Sequence, residues 1–202
     1  CPTPAHDGPA AMLEAISALV QKVVTAGTHR APGAAVSIVA VGIGTAGVVD
    51  VEHGTILSAT DAITGWAGTR VAAGVRERLA TAGLGALPVH VENDVDAYAG
   101  GEAWLGAGRD AGSVLVVAVG TGVGGSVVIN GTTVRGAHYV AGEIGHVPAP
   151  GAENEMCTCG RRGHLEAIAA GPQIHRRYLA AGGAPEVANA FEVEQRADAG
   201  DP

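Results

Sequence analysis

The chain has few aromatic residues, few cysteines and a deficit of positive charge. Aromatic residues make up 3% of its 202 residues although 47% are hydrophobic, so the core must be built mainly from Ala, Val, Leu and Ile. Three cysteines, an odd count, fit poorly with a disulfide scaffold and favour reduced thiols or metal ligation in the cytoplasm. The net charge of −8 argues against a nucleic-acid surface within this segment.

Neither a secretory signal nor an apolar run of membrane-spanning length is recognisable, so we expect no membrane partner. The chain begins at Cys1 without an initiator methionine and ends at Pro202, and we interpret it as an internal piece of a longer protein. Its length suffices for one large domain or two small ones. The Gly106-Ala107-Gly108 break predicts two α/β lobes, residues 1–108 and residues 109–202.

Hydrophobic periodicity predicts alternating helices and strands. The expected helices cover residues 9–27, 71–83, 94–105, 165–169 and 172–181. The expected strands cover residues 34–43, 89–92, 114–119, 126–129 and 132–134, with a hairpin turn at Asn130-Gly131. Residues 48–57 are expected to form a short hairpin or meander. We expect the strands at 34–43 and 114–119 to be buried, and the last dozen polar residues to fray.

Cysteine, histidine and glutamate concentrate between residues 142 and 166. Four of these side chains can supply the nitrogen and sulfur ligands of a closed tetrahedral zinc site, which would be structural: His146, Cys157, Cys159 and His164. Glu143 and Glu166 flank them and would be held in place. The alternative is a pair of unrelated thiols with ordinary histidines, since Cys-x-Cys differs from the common Cys-x2-Cys spacing. Nearby glycines and Pro148 favour the metal.

Asn93-Asp94 lies where a predicted strand ends and a helix begins. Ligand sites of open α/β sheets form at that edge, and Asp94 can accept a proton from a bound hydroxyl group. The alternative is that Asn93 and Asp94 only cap the helix. Local sequence alone favours the cap.

Residues 120–125 read Gly-Thr-Gly-Val-Gly-Gly after a predicted strand. Such a turn can offer several backbone N–H groups to a phosphate, in a backbone conformation that glycine permits, with the Thr121 hydroxyl beside them. It is not a P-loop, because no Gly-Lys-Ser/Thr follows. A glycine-rich hairpin turn without a ligand is an equally good interpretation of these residues alone.

The order of these motifs resembles the ROK family of repressors, open reading frames and sugar kinases. The resemblance runs from about Val36 to Tyr178, and the Cys-x-Cys-Gly-x-x-Gly-His-x-Glu segment is its most specific part. It implies an α/β actin/hexokinase-like ATPase fold, related to ribonuclease H, with two lobes and a cleft, here truncated at both ends. It also implies that zinc orders the loop that holds the sugar.

The resemblance assigns the polar groups to a sugar site. It implies that Asp94 is the general base and that Asn93 binds a neighbouring hydroxyl group. Glu143 and Glu166 would bind sugar hydroxyls. His146 would offer one ring nitrogen to zinc and the other to the sugar.

Further roles follow from the same resemblance. Cys157, Cys159 and His164 would complete the zinc shell. The residues expected to meet the phosphates of Mg-ATP are Gly120, Thr121 and Gly122, and weaker candidates for the sugar edge of the first lobe are Gly47 and Thr60.

Three departures from the family pattern limit these expectations. His164 stands where the family usually has a third cysteine. No Asp-x-Gly-Gly-Thr phosphate motif precedes Ala34, and the late glycine-rich segment that holds adenosine is missing. Because phosphoryl transfer depends on a complete phosphate cradle, we expect this chain alone to have little or no kinase activity.

The resemblance leaves two functions open. The first is an ATP-dependent kinase, a cytoplasmic homodimer that phosphorylates a hexose or an N-acetylhexosamine. Residues 44–50, 59–62 and 163–166 look more like N-acetylmannosamine kinases than like typical glucokinases, while glucose and N-acetylglucosamine remain open. The second is a sugar-responsive repressor whose DNA-binding domain lies outside this chain. Asp94 and the phosphate turn favour the kinase.

Overall fold

The computed structural model describes residues 3–30 and 38–200. The chain forms two compact units, Cys1–Tyr98 and Ala99–Pro202, which we call unit 1 and unit 2. The division falls inside the helix Asp94–Leu105. The boundary expected after residue 108 stays a prediction.

Unit 1 combines two helices, the start of a third and four strands. In chain order they are α1 (Gly8–Arg30), β1 (Val41–Thr45), β2 (Val48–Asp50), β3 (Thr55–Ser58), α2 (Val71–Thr81), β4 (Val89–Asn93) and α3 (Asp94–Leu105). Strands β1 and β4 pair in parallel with Thr45 opposite Asn93, and β2 and β3 form an antiparallel hairpin. The carboxyl ends of β1 and β4 therefore lie side by side, at the edge where α/β proteins place ligand sites.

Most predicted elements of unit 1 are confirmed, but the first strand is not where we expected it. Residues 34–37 of the predicted strand lie outside the described residues, and residues 38–40 are not in a strand. Strand β1 instead runs through Gly42 and Gly44 to Thr45. A Cβ atom at Gly44 would lie 3.4 Å from the Cα atom of Asp94, so a small residue in β1 lets the start of α3 pack close to it.

The core of unit 1 is built around the side chain of Trp66, which is 1% exposed. Its indole Nε1 donates a hydrogen bond to Thr45 Oγ1 at 3.1 Å, which satisfies the polar atom of a buried aromatic residue. The surrounding side chains are aliphatic or methionine, as the composition predicts: Met12, Leu13, Val41, Val49, Ile56, Val71, Ala72, Val75, Leu79 and Val91.

Helix α1 corrects one expectation about membranes. Its segment Gly8–Ala26 is long and apolar enough to cross a bilayer by length and composition, the one such helix in the described ranges. The expectation that no apolar run reaches this length is therefore wrong. In unit 1, α1 packs against α2, with Met12 and Leu13 buried in the core.

Unit 2 begins with a three-stranded antiparallel sheet and ends with short helices. Its elements are β5 (Ser113–Val119), β6 (Val123–Ile129), β7 (Thr132–Thr133), a 3-10 turn (Ile144–His146), α4 (Glu166–Ala169), α5 (Gly171–Ala180) and α6 (Ala190–Asp198). The strand order is β5-β6-β7. Asn130 and Gly131 have φ angles of 48° and 74°, which confirms the hairpin turn predicted there.

The expectation that β5 is buried is wrong. Leu115, Val117 and Val119 are 59%, 51% and 60% exposed, and they share one face of the strand because side chains alternate. The strand lies at one end of the sheet order, and among the described residues no strand other than β6 pairs with it. An apolar run identifies a strand but not which of its faces is covered.

The polar C-terminal segment folds as α6, so the expectation of fraying is also wrong for residues 191–198. The Asn189 side chain caps the helix by accepting a hydrogen bond from Glu192 N at 3.0 Å. The Glu192 carboxylate in turn accepts one from Ala188 N at 2.9 Å. This reciprocal arrangement satisfies backbone donors at the start of the helix.

Candidate functional site

Residues 147–165, which we call the cysteine loop, form an irregular antiparallel ribbon. Leu165 N donates a hydrogen bond to Val147 O at 3.0 Å and closes the base of the loop. Near its tip, Cys157 N donates to Arg161 O at 2.8 Å. Gly160 has a φ of 84°, in the left-handed region that favours glycine. Backbone hydrogen bonds therefore hold the cysteines and the flanking residues in a defined arrangement.

The four predicted metal ligands come together in unit 2. One ligand atom from each of His146, Cys157, Cys159 and His164 lies within 4.8 Å of the others. Cys157 Sγ is 3.6 Å from His146 Nδ1, and Cys159 Sγ is 3.2 Å from His164 Nδ1. His146 and Cys157, which are 11 positions apart in the chain, are therefore in direct contact.

The two sulfur–nitrogen distances are compatible with a tetrahedral zinc ion. Bonds of about 2.3 Å to sulfur and about 2.0–2.1 Å to nitrogen place tetrahedral ligand atoms about 3.3–3.8 Å apart. Both sulfur–nitrogen distances lie within a few tenths of an ångström of that range. Two sulfur and two nitrogen ligands fill all four positions and leave none for a reacting water, so the donor set suits a structural ion.

His146 presents its two ring nitrogens to different partners. Its Nδ1 faces Cys157 Sγ, whereas its Nε2 lies 3.9 Å from Glu143 Oε2. One nitrogen thus faces the cluster of candidate metal ligands, while the other lies beside the Glu143 carboxylate. The geometry accommodates both roles expected of His146.

Glu166 is buried, with 8% of its surface exposed, and both of its carboxylate oxygens have partners. Oε1 accepts hydrogen bonds from Thr158 Oγ1 at 2.5 Å and Cys157 Sγ at 3.5 Å, and Oε2 accepts one from Val123 N at 3.0 Å. Burial acts to raise the pKa of this carboxyl, but these hydrogen bonds and nearby His146 outweigh it and hold the pKa below its ordinary value. Glu166 is therefore ionised at neutral pH.

The same surroundings shift the pKa of the Cys157 thiol in the opposite direction, above its ordinary value. Burial raises the pKa of its thiol, and the negative charge of Glu166 adds to the effect. The thiol is protonated unless a cation binds it. Metal binding must therefore displace a proton from Cys157.

The turn between β5 and β6 consists of Gly120, Thr121 and Gly122, which we call the phosphate turn. Gly120 N donates to Gly122 O at 2.9 Å, and Val123 N is taken by Glu166. Among the described residues, the amides left to meet an anion from this turn are those of Thr121 and Gly122. The turn offers fewer donors than its glycine content suggested.

The backbone conformation predicted to require glycine in residues 120–125 is not found, and two of these glycines have a steric reason instead. None of them has a φ in the left-handed region. A Cβ atom at Gly122 would lie 2.7 Å from Glu166 Oε2, and one at Gly125 would lie 2.7 Å from Gly142 O. These positions lack a side chain because other parts of unit 2 approach the backbone there, not because the backbone is strained.

Asn93, Asp94, Gly47 and Thr60 belong to unit 1. Asn93 Nδ2 donates to Gly47 O at 3.1 Å, while its Oδ1 accepts from Val95 N at 2.9 Å. Asn93 therefore performs the capping that local sequence predicted. Asp94 is exposed, and one of its oxygens accepts from Val95 N at 3.0 Å, which leaves the other oxygen for a ligand. Thr60 lies in an exposed segment after β3.

Sequence reasoning missed Thr158 and Gly171. Thr158 stands between the two cysteines and donates to Glu166. Gly171 N, at the start of α5, donates to Gly120 O in the phosphate turn at 2.8 Å. The position of a hydroxyl between two candidate ligands was a usable signal for Thr158, whereas nothing local distinguishes Gly171.

Comparisons with known proteins find matches both in sequence and in structure. The sequence profile of the ROK family matches residues 1–202. The chain is 33% identical over 175 residues to a glucokinase of Halalkalibacterium halodurans, covering 87% of this chain and 49% of that protein. It is also 30% identical over 158 residues to a xylose repressor of Caldicellulosiruptor bescii, covering 78% of this chain and 36% of that protein.

A solved structure gives the corresponding likeness in three dimensions. The ROK family glucokinase from Streptomyces griseus, in complex with glucose and AMPPNP, matches with a TM-score of 0.74 and 30% identity, over 99% of this chain and 62% of that one. The predicted α/β fold of the actin/hexokinase-like ATPase type is thereby confirmed. The chain spans about half the length of the glucokinase that it matches in sequence.

Proposed function

The chain belongs to the ROK family, and from this membership we propose that the protein that carries it transfers the γ-phosphate of ATP to a hydroxyl group of a hexose or an N-acetylhexosamine. One observation supports this proposal above the others. In unit 2, the polar groups suited to a sugar adjoin a turn suited to a phosphate, because the Glu166 carboxylate bonds to Thr158 in the cysteine loop and to Val123 beside the phosphate turn. A kinase must hold both ligands.

The sugar-binding groups are proposed to be Glu143, His146 and Glu166, with Asn93 from unit 1. A carboxylate has about four acceptor sites, and Thr158, Cys157 and Val123 use three of them on Glu166. Metal binding would remove the S–H donor of Cys157 and free a further site. Glu166 can then accept a sugar hydroxyl without losing the hydrogen bonds that orient it.

Asp94 is proposed as the general base. Its exposed carboxylate can accept the proton of the attacking hydroxyl, and its own orientation is fixed by the Val95 amide. Phosphoryl transfer otherwise depends on positioning and on charge stabilisation around the γ-phosphate. The Thr121 and Gly122 amides would contribute to that stabilisation, with Mg-ATP as co-substrate.

Zinc is proposed as a structural ion held by His146, Cys157, Cys159 and His164. When bound, it would fix the cysteine loop and take no part in proton or phosphoryl transfer. The choice of N-acetylmannosamine or glucose, the homodimer and the cytoplasmic location stay predictions.

A second function is favoured by one finding, the similarity to a xylose repressor. In a repressor, the same residues would bind a sugar as an effector, and DNA would be bound outside this chain. A general base has no purpose in such a protein. The presence of Asp94 next to the capping residue Asn93 therefore favours the kinase.

The test uses the full-length gene product. Differential scanning calorimetry with glucose, N-acetylglucosamine and N-acetylmannosamine identifies the sugar, and a coupled assay measures ATP-dependent phosphorylation of that sugar. We expect thermal stabilisation by at least one sugar and turnover with it. Sugar binding without turnover would select the repressor, and the absence of both would refute the proposal. The 202-residue chain, assayed alongside, should show little or no turnover.

A further inference from the structure

The phosphate turn is held at both ends by hydrogen bonds to the chain segment that contains the short helix α4. Val123 N, directly after the turn, donates to Glu166 Oε2 at 3.0 Å. Gly120 O, at its start, accepts from Gly171 N at 2.8 Å. Glu166 is the first residue of α4, and Gly171 follows the helix. The position of the turn is therefore set by α4.

The cysteine loop determines in turn where the Glu166 carboxylate lies. The Thr158 hydroxyl donates to Oε1 at 2.5 Å, the shortest of the contacts made by this carboxylate. Thr158 stands between Cys157 and Cys159 in the chain, so the conformation that brings the two sulfur atoms together also fixes this hydroxyl. The Glu166 carboxylate is oriented at one oxygen by the loop and uses the other oxygen to hold the turn.

The absence of a side chain at Gly122 allows this contact. A Cβ atom there would lie 2.7 Å from Glu166 Oε2 and would push the carboxylate away from the Val123 amide. The backbone approaches the carboxylate as closely as a residue without a side chain permits. A small displacement of the carboxylate should therefore also displace the turn.

We propose that Thr158 is a positioning residue for the phosphate turn, acting through Glu166, and that this hydrogen-bonded chain couples the cysteine loop, which adjoins the proposed sugar-binding groups His146 and Glu166, to the proposed site for the ATP phosphates. The proposal rests on the function proposed above for the two sites. Such coupling is reciprocal, since whatever orders the loop favours the ordered turn and whatever binds the turn favours the ordered loop. Ordering of the loop by sugar or metal prepares the turn for the nucleotide.

The test measures the Val123 amide directly. Residue-resolved amide hydrogen exchange of the 202-residue chain, by nuclear magnetic resonance, needs neither sugar nor ATP, so its outcome is independent of whether the proposed kinase activity is correct. Thr158→Val removes the hydroxyl at nearly constant shape. We expect the Val123 amide to exchange about tenfold faster or more, because a hydrogen bond to a charged acceptor is among the stronger ones.

Two variants make the test specific. Thr158→Ser retains a hydroxyl and should restore slow exchange at Val123. Thr132→Val makes the same substitution at an exposed threonine in β7 and should leave Val123 unaffected. The amides in the middle of β5 and β6 serve as an internal reference for the folded sheet and should not change in any variant.

Two outcomes would overturn the proposal. Unchanged exchange at Val123 in Thr158→Val would mean that Glu166 keeps its position without Thr158. Faster exchange along the whole of β5 and β6 would mean that Thr158 supports the sheet in general and not the turn.

In the full-length protein, the proposal predicts that Thr158→Val raises the KM for ATP with a smaller change in kcat. Thr158→Ser should restore the wild-type KM for ATP.

Discussion

The side-chain amide of Asn93 donates a hydrogen bond to the backbone carbonyl of Gly47 at 3.1 Å, across 46 positions of sequence. Its Oδ1 atom accepts from the amides of Val95 at 2.9 Å and Asp96 at 3.2 Å. One side chain thus caps α3 through its oxygen and fixes the turn after β1 through its nitrogen. Within residues 3–30 and 38–200, the second N–H of the same amide group has no hydrogen-bond acceptor, so it can donate to a ligand.

These two functions of Asn93 can be separated by mutation. Asn93→Ala loses both and should lower the free energy of unfolding by about 1–2 kcal/mol. Asn93→Asp keeps the capping oxygen but places a carboxylate oxygen against the Gly47 carbonyl, so it should lose less stability than Asn93→Ala while weakening sugar binding. Urea unfolding and calorimetry measure the two effects. Asn189→Ala, which removes the α6 cap, is the matched control and should cost about 1 kcal/mol without changing sugar affinity.

Asp94→Asn tests the general base. In the full-length protein it should lower kcat by about 10²–10⁴-fold, because the amide cannot accept the proton, while sugar affinity and metal content stay the same. Steady-state kinetics and calorimetry provide the measurements. Asp110→Asn, at an exposed side chain in unit 2, should have wild-type kinetics. Comparable turnover in Asp94→Asn and the wild type would remove Asp94 from the proposed role.

Metal binding can be tested on the 202-residue chain itself. We expect about one zinc ion per chain after purification with zinc, and near-complete loss of it in Cys157→Ser and in His164→Ala, since a tetrahedral site needs all four ligands. His164→Cys should keep the metal, because thiolate and imidazole are both zinc ligands. His138→Ala removes a histidine outside the cluster and should retain zinc. Elemental analysis by mass spectrometry gives the result, and equal zinc content in all variants would contradict the assignment.

Gly145 provides a steric test of the packing below the site. A methyl group at this buried position would overlap the carbonyl oxygen of Val123. Gly145→Ala should therefore lower the free energy of unfolding by about 1–3 kcal/mol, measured in urea. Gly112→Ala is the control, because a Cβ atom there would meet only Asn130 Oδ1 at 3.8 Å. Equal stability of the two variants would show that the backbone at Gly145 can move.

Asp50, at the end of β2, makes the stability of the folded state depend on pH in a predictable direction. Burial acts to raise the pKa of Asp50, but hydrogen bonds from His53 and Glu52 and the nearby charge of His53 outweigh it and hold the pKa below its ordinary value of 3.8. The carboxylate therefore stabilises the folded state above pH 3.8, and this contribution is lost as the pH falls through the lower value of the folded protein.

Asp50→Asn should accordingly be less stable than the wild type at neutral pH, and the difference should shrink as the pH falls below 3.8. Thermal unfolding at a series of pH values measures it. The matched control is Asp61→Asn, the same substitution at an exposed aspartate of unit 1. A constant difference at all pH values would mean that the ionised carboxylate is not what stabilises the turn.

Local patterns predicted the elements that depend on local chemistry. Valines and a leucine at helical spacing predicted α2, and Asn93 at the end of a strand predicted the cap of α3. The clustering of the candidate metal ligands was also predictable, because Cys157, Cys159 and His164 lie so near each other in the chain that one loop can collect them. In each case the interacting groups are close in sequence or follow one periodic pattern.

Contacts between distant positions were not predictable. Nothing in the sequence relates Glu166 to Val123, 43 positions earlier, or Trp66 to Thr45. The glycines at 122 and 125 were assigned to backbone conformation because their actual reason, the approach of Glu166 and Gly142, is a property of the folded chain. Burial of β5 was also overestimated, since hydrophobicity does not tell which residues will cover a strand.

The uncovered face of β5 affects how the 202-residue chain will behave as a reagent. Leu115, Val117 and Val119 project from a strand that, among the described residues, pairs on one side only. An open strand edge beside an apolar stripe is a template on which copies of a chain pair and aggregate. We therefore expect β5 to be the place at which copies of the isolated chain first associate as their concentration rises.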